Sequence, residues 1–153
     1  MTHEIRRLAP DDLPLFDGLL SMFAEAFEDS ASYDSARPSP EWLRRLLGGE
    51  GFIALAALED KAVVGGLAAY VLDKFEQERR EIYIYDLAVL AAHRRRGIAS
   101  ALIAALQRLA AERGAYVIFV QADHGDDPAI ALYTKRGLRE DVLHFDIPVA
   151  PAP

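Results

Sequence analysis

At 153 residues, 52% hydrophobic and 27% charged, the chain has the length of one domain and enough apolar material for a core, which excludes a disordered polymer. Its 24 acidic residues outnumber 17 basic ones, and the net charge of −7 argues against nucleic acid or an anionic membrane as partner and for a cation. With no cysteine, disulfides, thiolate metal sites and cysteine nucleophiles are excluded.

The four histidines, His3, His93, His124 and His144, lack the helical spacing of metal ligands, so no metal is expected. The opening stretch to Asp12 carries Glu4, Arg6 and Arg7 without an apolar run, which does not fit a signal peptide. No apolar run has membrane-spanning length, so a cytoplasmic protein is expected.

In chain order, His3–Leu8 suits a short first strand. Asp11 or Asp12 can cap a helix whose apolar positions Leu15, Leu19, Met22, Phe23 and Phe27 recur mostly at three- and four-residue steps. The polar stretch from Glu28 to Pro40 reads as a loop. Ser39 before Pro40 then suits an N-cap with proline at the first helical position, opening a short helix through Leu47 that Gly48 and Gly49 stop. Phe52–Leu58 and Ala62–Leu72, parted by a polar turn at Glu59–Lys61, predict an antiparallel hairpin. Glu81–Val89 is the next strand.

From Gly97, residues Ile98, Leu102, Ile103, Leu106 and Leu109 mark one helical face, closed by Gly114. Tyr116–Gln121 reads as a buried strand, Asp127–Pro128 opens a helix ended by Gly137, and Val142–Ile147 reads as a last strand. The order β-α-α-β-β-β-α-β-α-β combines an antiparallel hairpin with a strand-helix-strand unit, so an α/β (α+β) domain with a mixed sheet flanked by helices is expected. It should span residues 1–148, with a frayed Pro- and Ala-rich tail at 149–153.

The strongest local signal is His93-Arg94-Arg95-Arg96-Gly97-Ile98-Ala99-Ser100, between a strand and a helix. Gly97, Ala99 and Ser100 let a ligand approach the backbone closely. The first helical amides are unpaired and the helix dipole makes that end partly positive, which together with three arginines suits a pyrophosphate. The alternative is a solvated basic turn. A P-loop needs Gly-Lys-Ser/Thr, which is absent, and a dinucleotide fingerprint needs three spaced glycines where only Gly97 is present.

Arg94-x-x-Gly97-x-Ala99, after the strand ending Leu87-Ala88-Val89, resembles the Arg/Gln-x-x-Gly-x-Gly/Ala signature of the GNAT superfamily of N-acetyltransferases. Ala129-Ile130-Ala131-Leu132-Tyr133-Thr134-Lys135-Arg136-Gly137-Leu138 is similar to that superfamily's Ala-x-x-Leu-Tyr-x-x-x-Gly-Phe segment. The run Tyr83–Val89, the stretch 116–127 and His144–Ile147 resemble the small aminoglycoside 3-N-acetyltransferases that modify gentamicin- and fortimicin-type drugs. Glu25-Ala26-Phe27 and Lys74-Phe75-Glu76-Gln77 fit as well, so the likeness covers nearly the whole chain. Asp126 stands where an Asn is common, and Leu138 replaces the usual Phe.

The resemblance implies a twisted, mostly antiparallel sheet with a central, splayed parallel pair, 81–89 and 115–121. It implies acetyl-CoA as acetyl donor, with backbone groups of Leu87, Ala88 and Val89 on the pantetheine arm and Arg94, Arg95, Arg96, Gly97, Ile98, Ala99 and Ser100 at the pyrophosphate. It also implies direct attack of a neutral amine on the acetyl carbon, with Tyr133, near the thioester, as general acid to the leaving thiolate. Taken by spacing alone, Tyr133 is a core aromatic.

Strict strand alternation puts Tyr83, Tyr85 and Leu87 on one face and Ile84, Asp86 and Ala88 on the other. An acid flanked by apolar neighbours then fits either binding or deprotonation of the amine, or a buried hydrogen-bonding role. Glu81 is a weaker alternative base.

Asp123-His124-Gly125-Asp126-Asp127 does not match a calcium loop. It suits helix capping by Asp127, or an acidic cleft wall formed by Asp123, Asp126 and Asp127. Glu25, Glu28, Asp29 and Asp34 are candidates for the opposite wall. Three readings result: an aminoglycoside acetyltransferase; the same chemistry on a polyamine or protein amine; and a non-catalytic acyl-CoA-binding module. The partner is a small polycationic amine, and a homodimer is common in the families it resembles.

Overall fold

The computed structural model of the chain describes residues 3–150, so the last three residues of the expected tail lie outside it. Strand β1 (Glu4–Arg7) leads to helices α1 (Leu13–Phe27), α2 (Ser30–Tyr33) and α3 (Pro40–Gly48). Strands β2 (Phe52–Glu59), β3 (Ala62–Asp73) and β4 (Arg80–Val89) follow. A 3-10 turn at Ala91–His93 precedes α4 (Ile98–Glu112), β5 (Ala115–Val120) and α5 (Asp127–Thr134). The residues form two compact units, one up to Gln121 and one from Ala122 onward.

The first unit is a five-stranded sheet in the order β1-β2-β3-β4-β5, antiparallel except for the final pair. The β2–β3 turn holds Asp60 and Lys61 at φ 50° and 68°, the doubly left-handed turn whose twist matches that of paired strands. Helices cover both faces, which is why β2 is buried almost throughout. On one face Ile53, Leu55 and Ala57 share a core with Leu102 and Leu106 of α4. On the other, Phe52, Ala54, Ala56 and Leu58 join Phe16, Leu19, Met22 and Phe23 of α1 and Leu43 and Leu47 of α3. The close approach of α1 requires a glycine: a Cβ on Gly66 would lie 2.1 Å from Leu19 Cδ1.

Local signals set the helix ends. Ser39 Oγ accepts from the Trp42 amide at 3.2 Å and opens α3. Asp12 occupies the N-cap position of α1, but its carboxylate turns back to the Ala9 amide and Arg6, each at 2.8 Å. Glu28–Pro40, expected to be a loop, contains α2, because the Asp29 carboxylate accepts from the Ser32 amide and nucleates one helical turn.

Two strand expectations change. β5 is an edge strand rather than a buried one: Ala115, Ile118 and Val120 pack on the core while Tyr116, Val117 and Phe119 are exposed. Val142–Ile147 forms no strand; its apolar residues are exposed, and no described strand supplies the ladder that would hold it. The parallel β4–β5 pair therefore closes the described sheet at its edge instead of lying at its centre.

In the second unit, α5 is capped by Asp126, whose Oδ1 accepts from the Ala129 amide at 3.4 Å. The expected cap, Asp127, is instead the first helical residue. Among the described residues, no helix is long and apolar enough to cross a membrane.

Candidate active site

The site grows from an irregularity in β4. Ala68 pairs with Asp86 and Ala69 with Ile84, so Tyr85 bulges out of the ladder. A bulge shifts side-chain parity beyond it. Ile82 and Ile84 face the α4 core together with Leu87 and Val89, whereas Ala88 packs toward α1. Asp86 also turns to the α1–α2 face, where it meets Tyr33. This corrects the expected alternation, which placed Ile84 and Asp86 on one face. Without the bulge the carboxylate would enter an apolar core at a cost of several kcal/mol, on the order of that for any unpaired buried charge.

The same strand has a free edge at that end. β5 pairs with β4 from Arg80 to Ile84, and Tyr85–Val89 continue without a β5 partner. Backbone groups of Leu87 and Ala88 facing that side can hydrogen-bond an extended arm. The Val89 carbonyl is already engaged by Arg94 Nε at 3.0 Å, which ties the following turn to the strand end.

That turn reaches α4 through two left-handed residues, Arg95 at φ 64° and Gly97 at φ 77°. Gly97 is the N-cap residue and offers no side-chain cap, so the amides of Ile98, Ala99 and Ser100 have no intrahelical acceptor. A Cβ on Gly97 would meet nothing within 4 Å. Outward amides, open space above them and a positive helix end fit a pyrophosphate. Arg96 lies 3.5 Å from Glu59, which His93 also approaches at 3.2 Å, while Arg95 has no ion pair among the described residues.

Asp86 is half-buried, and Tyr33 donates its hydroxyl to Oδ2 at 2.8 Å. Burial pushes the Asp86 carboxyl above the ordinary carboxylate range, and the Tyr33 hydrogen bond pulls it back down. Burial and then the hydrogen bond to Asp86 push the Tyr33 phenol well up, so it stays a donor. Sequence reasoning missed Tyr33; the signal available was Asp29 three residues before Ser32, the spacing of a capped turn. On the same face Tyr70, Tyr85, Tyr83 and Phe119 form an aromatic row, with Tyr83 stacked on Phe119 at 4.7 Å.

The other expected residues divide. Glu25 and Glu28 are exposed at the end of α1, and Glu28, at φ 51°, terminates that helix. Asp29 is committed to capping α2 and Asp34 to Arg37. Glu81 sits at the far end of β4, bound to Lys74 at 3.3 Å, which disfavours it as a base. A cleft of about 400 Å³ opens there too, but its charges are engaged: Arg80 pairs with Asp73 across it at 2.8 Å, and Arg79 pairs with Glu76 outside its lining at 3.6 Å.

In the second unit Tyr133 is half-buried, and burial, then the charge of Asp126, push its phenol up to about 12. It is protonated at any working pH. Asp123, Asp126 and Asp127 are exposed.

Residues 15–138 match the model of the acetyltransferase (GNAT) family. An aminoglycoside acetyltransferase, HMB0005, from an uncultured soil metagenomic sample is 60% identical, with TM-score 0.96 over 98% of this chain and 100% of that one. A second from such a sample, meta-AAC0020, solved with sisomicin, is 39% identical, with TM-score 0.88 over 97% of each chain. A ribosomal-protein-alanine N-acetyltransferase from Brucella melitensis biovar Abortus 2308 is 26% identical, with TM-score 0.74 over 97% of this chain and all of that one. A search of curated proteins finds no match. The matched length and the strand-turn-helix geometry at Leu87–Ser100 agree, and the chain belongs to the GNAT family of acetyltransferases, which use acetyl-CoA.

Proposed function

We propose that the protein transfers the acetyl group of acetyl-CoA to an amine of an aminoglycoside, at the 3-amino position, and so confers resistance to the drug. The observation that carries the acceptor class is the 60% identity, over 98% of this chain and 100% of the other, to an aminoglycoside acetyltransferase. The net charge of −7 and the half-buried Asp86 suit a polycation.

Acetyl-CoA supplies an acetyl thioester. The amides of Ile98, Ala99 and Ser100, with Arg95 nearby in sequence, hold the pyrophosphate, and the free edge at Leu87 and Ala88 holds the pantetheine arm. A backbone N–H on that edge faces the oxygen that gains negative charge. Asp86 binds the acceptor amine and takes its proton, directly or through a water, as the N–C bond forms. Tyr133 gives its phenolic proton to the sulfur as the C–S bond breaks. The balance is amine plus thioester to amide plus thiol, with no covalent enzyme intermediate.

A protein or polyamine acceptor is the second reading, and the 26% identity to a ribosomal-protein-alanine N-acetyltransferase supports its protein form. Thiol release with acetyl-CoA and sisomicin, gentamicin, spermidine or an alanine-terminated peptide separates the two. Turnover concentrated on the drugs is expected. Turnover only with the peptide or spermidine overturns the acceptor, and no thiol release with any amine leaves an acyl-CoA-binding module.

A further inference from the structure

Tyr33 and Asp86 are 53 positions apart and meet by the only side-chain hydrogen bond that Asp86 makes among the described residues. The carboxylate has two oxygens. Tyr33 occupies Oδ2 at 2.8 Å, and no described side chain is bonded to Oδ1. The phenol is itself held in place: its ring lies 5.7 Å from that of Phe23 and 5.8 Å from that of Phe27, and Asp29 caps its helical turn. We infer that Tyr33 is a positioning residue for acetyl transfer, which holds Oδ2, fixes the rotamer of Asp86 and so presents Oδ1 to the acceptor amine. This rests on the reading of Asp86 as the group that receives the amine.

The electrostatic surroundings leave Tyr33 the main lever. The titratable groups near Asp86 are Tyr33 of α2, Tyr70 of β3 and Tyr83 of its own strand, with Tyr85 beside those three tyrosines and Asp29 behind Tyr33. Burial raises Tyr33, Tyr70 and Tyr83, which remain neutral in the working range. No cation or metal among the described residues lowers the carboxyl of Asp86; burial raises it and the Tyr33 hydroxyl lowers it. Activity requires the ionised carboxylate and so falls as pH drops through its raised pKa. Deleting the Tyr33 hydroxyl moves that fall to higher pH.

The test is the pH profile of kcat/KM for sisomicin in wild type, Tyr33→Phe and Asp86→Asn, with the KM for acetyl-CoA as a check on the fold. Phe keeps the ring packed on Phe23 and Phe27. In Tyr33→Phe, kcat/KM on the acid limb should fall about tenfold further than on the plateau, as expected for loss of one hydrogen bond to a charged group. In Asp86→Asn the acid limb should vanish. An acid limb that vanishes in Asp86→Asn but stays in place in Tyr33→Phe overturns the inference and leaves Asp86 its role. An equal loss at every pH in Tyr33→Phe marks a structural phenol and overturns it as well. An acid limb that persists in Asp86→Asn overturns the reading of Asp86 itself, and wild-type inertness toward sisomicin overturns the acceptor.

Discussion

The two units of the chain carry their expected functional groups in different ways. Up to Gln121, those groups sit on or beside a sheet with cores on both faces, and Arg94 ties the turn before α4 to the strand end at Val89. From Ala122 onward the described residues form one short helix with no fully buried residue, and Leu138, Leu143, Phe145 and Ile147 are exposed. The first unit gives its groups a fixed geometry. The second offers groups, Tyr133 and three aspartates, on a lightly packed scaffold, where local opening costs little. The division predicts that substitutions at the start of α4 disturb acetyl-CoA binding and those at Asp86 disturb handling of the acceptor amine, whereas those in the second unit disturb proton delivery to the leaving sulfur and acceptor choice.

The largest effect is expected at Tyr133. Tyr133→Phe removes only a hydroxyl, and a lost general acid costs about 10²–10⁴ in rate. kcat should fall within that range while the KM for acetyl-CoA holds. Because the phenol is pushed up to about 12, it loses its proton only near that pH, so no alkaline fall in kcat below it belongs to Tyr133. A variant with wild-type kcat, with chemistry shown to limit turnover, would reduce Tyr133 to packing and remove chemistry from the second unit.

Gly97→Val tests the opposite expectation. The added Cβ meets no protein atom, so steric damage to the fold is small, and the strain of a β-branched residue at φ 77° costs about 1–2 kcal/mol. The same Cβ fills the space above the helix amides. Acetyl-CoA affinity by calorimetry should drop by about tenfold or more, the loss expected when one charge-assisted hydrogen bond is blocked. Unchanged affinity would end the phosphate-site assignment.

Much of this is legible in the amino-acid sequence. Ser39-Pro40 and Gly48-Gly49 marked the bounds of α3, the polar break at Glu59–Lys61 marked the hairpin, and the Arg94–Ser100 run pointed to an uncapped helix start because backbone chemistry there is local. What escaped depends on long-range pairing. The bulge at Tyr85 is a mismatch between two strands, so the sequence of β4 alone suggested unbroken alternation and the wrong neighbours for Asp86. Tyr33 lies in a stretch rich in Ser and Asp whose helical turn depends on one cap. Val142–Ile147 has the composition of a strand, but composition does not supply a partner edge.

The aspartates of the second unit should show a smaller, separable effect. Asp126→Asn and Asp127→Asn keep the shape, and Asn still caps a helix, so stability should stay near wild type. A partly desolvated charged contact contributes about 1.5–3 kcal/mol, so replacing a residue that touches the acceptor should raise the acceptor's KM about tenfold at low salt, and by less at high salt, where screening already weakens the contact. An exposed, solvated aspartate should leave KM unchanged. If both variants match wild type at two salt concentrations, acceptor recognition belongs to the first unit alone.

The smallest effect is expected at Glu81, and it decides whether position along β4 matters or merely negative charge. Glu81 and Asp86 lie on one strand, both partly buried acids. Glu81 is spent on Lys74 at 3.3 Å, in a neighbourhood where Arg80 binds Asp73 and Arg79 binds Glu76. It faces the β5-paired portion of the strand, since Glu81 is in register with Val117, whereas Asp86 lies beyond the last pair, Ile84 with Val120. Glu81→Gln therefore removes one member of a partly exposed ion-pair network and nothing at the free edge. kcat/KM for the acceptor should stay within about twofold of wild type, because such pairs contribute little beyond local order. A Glu81→Gln variant that loses its acid limb, measured beside Asp86→Asn, would move the base to the paired end of β4 and leave the bulge at Tyr85 without a part in the chemistry.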